Sequence, residues 1–148
     1  MRSTNNPNEI RVTRTYDAPV ALVWEAWTDL KHVDKWWGPR GFTITTHHKD
    51  LRAGGTWEYT MHGPDGSSYP NESVFAAIER DRKVVIDHIC QPFFRLTVEL
   101  LPTATGTQLT WVQAFADPAV AEAVRHIVEP ANEQNLDRLA AEVAGTGS

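Results

Sequence analysis

The chain has 148 residues, enough for one domain, and a domain of this size buries roughly 70% of the surface that its extended chain exposes. Its formal net charge of -5, with 14 dispersed Lys and Arg residues, argues against a sequence-independent nucleic-acid binder, which needs a basic face. The sequence lacks an apolar run of the length of a membrane span or a secretory signal, so we expect a soluble, cytoplasmic protein.

The first part of the chain predicts one strand followed by two short helices. Polar and apolar residues alternate from Glu9 to Tyr16, which is typical of a half-buried strand. Asp17 is a candidate cap for a helix over Pro19 to Thr28, since Pro fits the first helical turn. A second helix is predicted from Asp29 to Trp36, and it ends before Gly38-Pro39, where Gly frees the backbone and Pro restricts the residue before it.

After this break the pattern is extended as far as Ala116. Turn signals separate the segments, including Gly54-Gly55, where both glycines can adopt positive φ, and Gly63-Pro64-Asp65-Gly66. Short strands joined by tight turns predict an antiparallel meander. The predicted strands are Phe42 to Asp50, Thr56 to His62, Tyr69 to Glu79, Val84 to Ile89, Phe93 to Leu101 and Thr107 to Ala116.

The chain ends in a long amphipathic helix. Asp117-Pro118 forms a cap-then-Pro entry, and apolar residues then recur at helical spacing. The spaced apolar residues are Val120, Val124, Ile127 and Val128. Pro130 is expected to kink or interrupt this helix because it lacks a backbone N–H and clashes with the preceding turn. A second piece is predicted over 131–143.

These elements predict an α+β fold with the order β-α-α-β-β-β-β-β-β-α. A strongly twisted antiparallel sheet of six to seven strands must pack its apolar face against the last, longest helix and curl around it like a grip. The space between such a sheet and helix is hard to fill with side chains, so we expect a cavity there. We expect a single domain over 9–144, with flexible tails over 1–8 and 145–148.

Four stretches resemble one protein family, the bacterial activator of Hsp90 ATPase homologue-like proteins. These proteins belong to the START and birch-pollen-allergen-like helix-grip superfamily (SRPBCC), which includes polyketide cyclases. The resemblance covers about Arg11 to Val143 and implies the helix-grip fold, varied apolar ligands and no fixed catalytic set. The stretches are Asp17 to Pro39, Asp50 to Phe75, Val84 to Phe94 and Gly106 to Trp111.

One position departs from the family pattern. Members commonly carry a Gly-Trp pair where the last helix begins, whereas this chain has Ala131 and Asn132, preceded by Pro130. The missing Trp would have packed against the sheet, so the start of the helix and the volume of the cavity are left open.

Strand alternation predicts which side chains share the concave face of the sheet. His88 and Gln113 fall there as polar groups within an apolar surface, and buried polar groups need partners. Trp36 and Trp37 are adjacent in the sequence, and we predict that they lie at the pocket entrance. The predicted ligand-binding residues are Trp36, Trp37, Trp57, Tyr59, Met61, His88, Phe94, Trp111 and Gln113.

The sequence is compatible with three roles for His88. It is either a core imidazole with an internal hydrogen bond, a group that orients the polar part of an apolar ligand, or the acid/base of a cyclase-type enzyme. We expect Cys90 to be an unreactive thiol on a strand and not an activated nucleophile. The adjacent His47 and His48 should point to opposite faces of a strand, so we predict no metal site. The sequence also has no P-loop and no dinucleotide fingerprint, and we predict no cofactor.

We therefore predict a binding protein without assigned catalysis, whose partner is a small apolar or aromatic ligand held between sheet and helix. A polyketide cyclase-like enzyme that uses His88 is the first alternative. The second is a domain that interacts with the chaperone Hsp90, as the family name implies. The residues leave open whether the protein is a monomer or a homodimer.

Overall fold

The structure, a computed structural model, describes residues 8–38, 40–90 and 93–146. The predicted amino-terminal tail lies outside these residues except for Asn8. Asn8 is held against the sheet, because its side-chain amide donates to the Phe115 carbonyl at 3.0 Å and its own carbonyl accepts the Phe115 N–H at 2.8 Å. The last helix extends to Thr146, two residues into the predicted carboxy-terminal tail.

Within the described residues, seven strands form one antiparallel sheet in the order β1-β7-β6-β5-β4-β3-β2. This arrangement, with a long helix after the last strand, confirms the predicted α+β helix-grip fold and its element order. The elements are β1 (Glu9–Tyr16), α1 (Val20–Thr28), α2 (Leu30–Trp36), β2 (Thr43–Lys49), β3 (Thr56–His62), β4 (Ser68–Glu79), β5 (Lys83–His88), β6 (Phe94–Pro102), β7 (Thr107–Phe115) and α3 (Pro118–Thr146).

All three helices pack on one another and on the same sheet, with α3 against β1 and β7, α1 against β6 and α2 against β2. The buried core lies between them, and it follows the strand alternation. In β7, for example, every second residue from Thr107 to Phe115 is buried. The sheet therefore turns one apolar face towards the helices, which is the requirement for curling around α3.

The two predicted helix caps have different outcomes. The cap position of α1 is Pro19, without a side-chain hydrogen bond, so the prediction that Asp17 caps this helix is wrong. At α3 the Asp117 carboxylate accepts the backbone N–H of Ala119 at 2.9 Å, as a capping residue should.

Helix α3 runs through Pro130 without a break, so the interruption allowed for in the sequence analysis does not occur. Pro130 cannot donate the backbone hydrogen bond of its turn, and packing on both sides of it compensates. After it, Leu136, Leu139 and Val143 are buried against the main core. No helix in the described part of the chain, including α3, has a stretch long and apolar enough to cross a membrane.

Before Pro130, the apolar stripe of α3 packs on a smaller cluster formed by Ile10, Phe115 and Ala121. Three of the four apolar residues predicted from helical spacing, Val120, Val124 and Val128, contact this cluster. The fourth, Ile127, is 60% exposed because the stripe is narrower than the spacing suggested.

A cavity between sheet and helix

A cavity of about 430 Å³ lies between the concave face of the sheet and α3. Its walls come from the segment after α2, from strands β3 to β7 and from one face of α3. The lining residues are Trp37, Gly38, Tyr59, Met61, Ser68, Tyr69, Pro70, Asn71, His88, Phe94, Leu96, Trp111, Gln113, Asn132 and Asn135. The structure thus contains a space where the curl of the sheet was expected to leave one.

The fold brings seven of the nine residues predicted from the sequence to this cavity. They are Trp37, Tyr59, Met61, His88, Phe94, Trp111 and Gln113. Trp36 and Trp57 are not among the lining residues. The contacts of these two tryptophans show where each ring lies instead.

Trp36 is a packing residue and does not lie at the cavity entrance. Its side chain is completely buried, its indole N–H donates to the Ala26 carbonyl at 2.7 Å, and its ring meets Trp27 edge-on at 4.7 Å. Trp57 is 1% exposed and stacks on Phe75, behind the cavity wall. Both rings support the wall without lining it.

Trp37 both lines the cavity and joins the helices to the sheet. It is 8% exposed, and its ring contacts the rings of five other residues. Burial raises the pKa of the Tyr59 phenol, and the neighbouring Trp37 side chain opposes this shift only in part. The phenol therefore stays neutral at physiological pH. The five rings belong to Trp27, Trp36, Trp57, Tyr59 and Trp111.

His88 has the internal hydrogen bond expected of a core imidazole. Its Nε2 lies 2.7 Å from Oδ1 of Asn71 on the neighbouring strand, and its ring stacks on Phe94 with 4.5 Å between centroids. With the Asn71 amide in this orientation its oxygen accepts and Nε2 donates, whereas a flipped amide would donate to Nε2. Cys90 follows β5 in a bend rather than in a strand, and its sulfur lies 3.5 Å from the same Nε2.

Three buried amides, Gln113, Asn132 and Asn135, line one side of the cavity, and we call them the amide cluster. The side-chain amide of Asn132 donates to the Gln113 side-chain oxygen at 3.1 Å, which joins α3 to β7. Oδ1 of Asn135 accepts the backbone N–H of Gly38 at 3.1 Å. Asn132 is the residue for which the family resemblance implied a Trp, and its amide lines the cavity.

Most of the remaining lining residues were missed by the sequence analysis. Four of them, 68–71, belong to the first part of β4, which extends beyond β5 because the two strands pair only from Ser73 onward. A rim of this kind depends on strand lengths and register, which alternation does not reveal. Asn132 and Asn135 could have been recognised from the sequence, because each lies four residues before a buried leucine, Leu136 or Leu139, and so on the same face of the helix.

The histidine pair of β2 lies outside the cavity. A β-bulge between Thr46 and His48 interrupts the alternation, so the opposite-face argument fails at this point, and both imidazoles are exposed. Nε2 of His47 lies 2.7 Å from the Thr60 hydroxyl.

In the part of the chain that the structure describes, the group with ligand atoms close enough for a metal ion is Glu25, Asp29 and His32. His32 also contacts Glu142 at 2.6 Å.

Lys49 gives a prediction for the effect of pH on stability. Its ammonium lies 4.8 Å from the Trp57 ring centroid and 3.5 Å from the Trp27 carbonyl oxygen. Burial lowers the pKa of Lys49 from 10.5 to about 8, although the charges of Asp34 and Asp29 oppose this shift. Between these values the folded protein binds fewer protons than the unfolded chain, so its stability should rise with pH.

We expect the free energy of unfolding to gain about 2–3 kcal/mol between pH 7.5 and 10 relative to the Lys49→Met variant. Urea unfolding at a series of pH values measures this difference. The range stops at pH 10 because burial raises the pKa of Tyr16 and Tyr59 in the folded protein. Above pH 10 these tyrosines ionise in the unfolded chain before they do so in the folded protein, which lowers the free energy of unfolding. Parallel curves for the two proteins would contradict the assignment to Lys49.

Comparison with known proteins agrees with the fold and identifies the family. None of the curated proteins matches the sequence. Solved structures do: a Nitrosomonas europaea protein is 21% identical over 95% of this chain and 97% of its own, with a TM-score of 0.89. A Chromobacterium violaceum protein is 24% identical over 91% and 96%, with a TM-score of 0.81. An AHSA1-like protein of Aeromonas hydrophila is 19% identical over 94% of each chain, with a TM-score of 0.73.

At these identities the solved structures establish the fold, whereas the family follows from the sequence itself. The family model described as Activator of Hsp90 ATPase homolog 1-like protein matches residues 17–144, which is most of the chain. The matched region includes α1, α2, the strands from β2 to β7 and nearly all of α3. The chain therefore belongs to the Activator of Hsp90 ATPase homolog 1-like protein family.

Proposed function

We propose that the protein binds a small apolar or aromatic molecule in the cavity between the sheet and α3. The observation that carries this proposal is the volume of about 430 Å³, within the range of roughly 300–1,000 Å³ typical of ligand sites. Aromatic and aliphatic side chains dominate its wall, including Trp37, Phe94 and Trp111. Filling this space removes apolar surface from water, and that is the main source of affinity for such ligands.

The polar groups of the cavity support binding better than catalysis. Among the described lining residues there is no Asp, Glu, Lys or Arg, so the His88 imidazole is the side chain that a proton-transfer reaction would use. Its Nε2 is engaged by Asn71 at 2.7 Å. A cyclase-type reaction would have to break this contact before that nitrogen could accept a proton.

The proposal is tested with N-phenyl-1-naphthylamine, an uncharged aromatic probe whose fluorescence rises in apolar surroundings. We expect saturable binding at one site, lost in the Met61→Trp variant because the larger ring occupies the cavity. Leu101→Trp is the matched control: Leu101 is 59% exposed and does not line the cavity, so this variant should bind like the original chain. Circular dichroism confirms that both variants are folded.

Two results would overturn the proposal. One is failure of the original chain to bind the probe. The other is equal binding by the folded Met61→Trp variant and the original chain, since the probe would then occupy a surface other than this cavity.

A further inference from the structure

From the amide cluster we infer that the cavity selects uncharged ligands whose polar end both donates and accepts hydrogen bonds, as a carboxamide or lactam does. This inference rests on the proposed function and specifies the chemical class of its ligand. Gln113 and Asn132 are each 8% exposed and Asn135 is 6% exposed, so all three are more than nine-tenths buried. Buried amides of this kind are normally hydrogen-bonded, and here much of their capacity is unused.

The single hydrogen bond between Gln113 and Asn132 leaves at least one whole NH₂ group and one whole carbonyl oxygen of the pair unused. One amide donates to the other, so the remaining NH₂ and the remaining carbonyl oxygen face other groups. Flipping both amides exchanges these roles between the residues without changing the result. The pair therefore presents a donor and an acceptor side by side, and a ligand amide complements both at once.

Asn135 adds a second donor whose direction is fixed. Its oxygen accepts the Gly38 N–H, which settles the orientation of the side chain and leaves its NH₂ for another partner. Asn132 and Asn135 are three residues apart on α3, so their side chains project from the same face. In the described residues these spare amide groups have no protein hydrogen-bond partner, and they remain accessible to a water-sized molecule.

The charges around the cavity disfavour an ionised ligand. The described lining has no acidic or basic side chain apart from His88. The Arg138 guanidinium lies beside Gly38, and its nitrogens donate to the carbonyls of Gly38 and Lys35 at 2.9 Å, at the carboxyl end of α2. A carboxylate entering the cavity would lose its hydration without gaining a salt bridge, which costs more than burying a neutral amide.

Three ligands with the same ring system test this selectivity: 2-naphthamide, methyl 2-naphthoate and 2-naphthoate. The first offers a donor and an acceptor, the second acceptors alone, and the third is ionised at pH 7.5. We expect 2-naphthamide to displace N-phenyl-1-naphthylamine with an affinity about tenfold higher than either of the others, the effect of one or two additional hydrogen bonds.

Removing the polar pair should remove the preference. In Asn132→Leu, which keeps the size of the side chain, we expect the ratio of amide to ester affinity to fall to about threefold or less. The affinity for the probe is measured separately in each variant, so that the ratio compares the two ligands on the same protein. Gln113→Leu is the second variant should the first fail to fold. Gln134→Leu is the control, because Gln134 lies on the same helix but does not line the cavity.

The outcomes separate this inference from the proposed function. Equal affinity for the three naphthalenes, or a preference for the carboxylate, overturns the inference while probe binding still supports an apolar cavity. Retention of the amide preference in Asn132→Leu and Gln113→Leu also overturns it. Failure of the original chain to bind the probe overturns the proposed function and the inference together.

Discussion

Replacing Trp37 with alanine is expected to lower the free energy of unfolding by about 3–5 kcal/mol, the usual cost of deleting a buried aromatic ring. The ring is 8% exposed and lies just after α2, where it fills the space between the helices and the sheet. Without it, Trp27 and Trp111 would face a cavity enlarged by the volume of an indole. The fold can close such a space only by moving α1 and α2 towards the sheet.

The geometry of the aromatic contacts adds to this cost. Trp37 meets Trp27, Trp36 and Tyr59 edge-on, with centroid distances of 5.5, 5.6 and 6.4 Å. Pairs in this arrangement contribute about 0.5–1.5 kcal/mol each beyond the apolar area that they bury.

Urea unfolding followed by far-ultraviolet circular dichroism measures the loss without relying on the tryptophan signal that the substitution changes. Phe93→Ala is the matched control, since Phe93 is a large aromatic residue that is 47% exposed. We expect this control to cost about 1 kcal/mol or less. Similar losses in the two variants would show that Trp37 does not connect the helices to the sheet.

The strands could be predicted from the sequence because each has one buried face. In β1 and β3 the alternation gave both ends correctly, from Glu9 to Tyr16 and from Thr56 to His62. The order of the elements then left few ways to cover the apolar face. Local chemistry was less reliable, as at Asp17, because whether a side chain caps a helix depends on the path of the chain before it.

The cavity was predictable only in part, because its lining combines strand faces with helix packing. His88 and Gln113 were found because they are polar residues in strand positions whose neighbours on the same face are apolar. Trp36 and Trp37 could not be distinguished, since their spacing does not show how α2 rotates against the sheet. Asn132 and Asn135 were not assigned to the cavity because a break or kink at Pro130 would change which face of α3 the following residues take, and only the continuous helix fixes that face.

Substituting alanine for Gly55 is expected to destabilise the protein by more than about 3 kcal/mol, at the upper end of the effects of single substitutions. A Cβ atom on Gly55 would lie 2.0 Å from the backbone oxygen of Asp50 and 3.0 Å from that of Arg52, so the backbone itself would have to move. Gly55 also donates to the Arg52 carbonyl at 2.8 Å and accepts the Phe75 N–H at 2.9 Å. Movement here would weaken both the turn between β2 and β3 and its attachment to β4.

The neighbouring Gly54 separates this steric effect from the ordinary cost of replacing a glycine. Both residues were predicted to be able to adopt positive φ, but the structure shows it at Gly54, with φ +86°, and not at Gly55. A Cβ on Gly54 meets no atom within 4 Å, so Gly54→Ala should cost only the conformational penalty of about 1–2 kcal/mol. Thermal and urea unfolding should therefore show a much lower free energy of unfolding for Gly55→Ala than for Gly54→Ala. The reverse order would mean that the close approach to Asp50 does not constrain this turn.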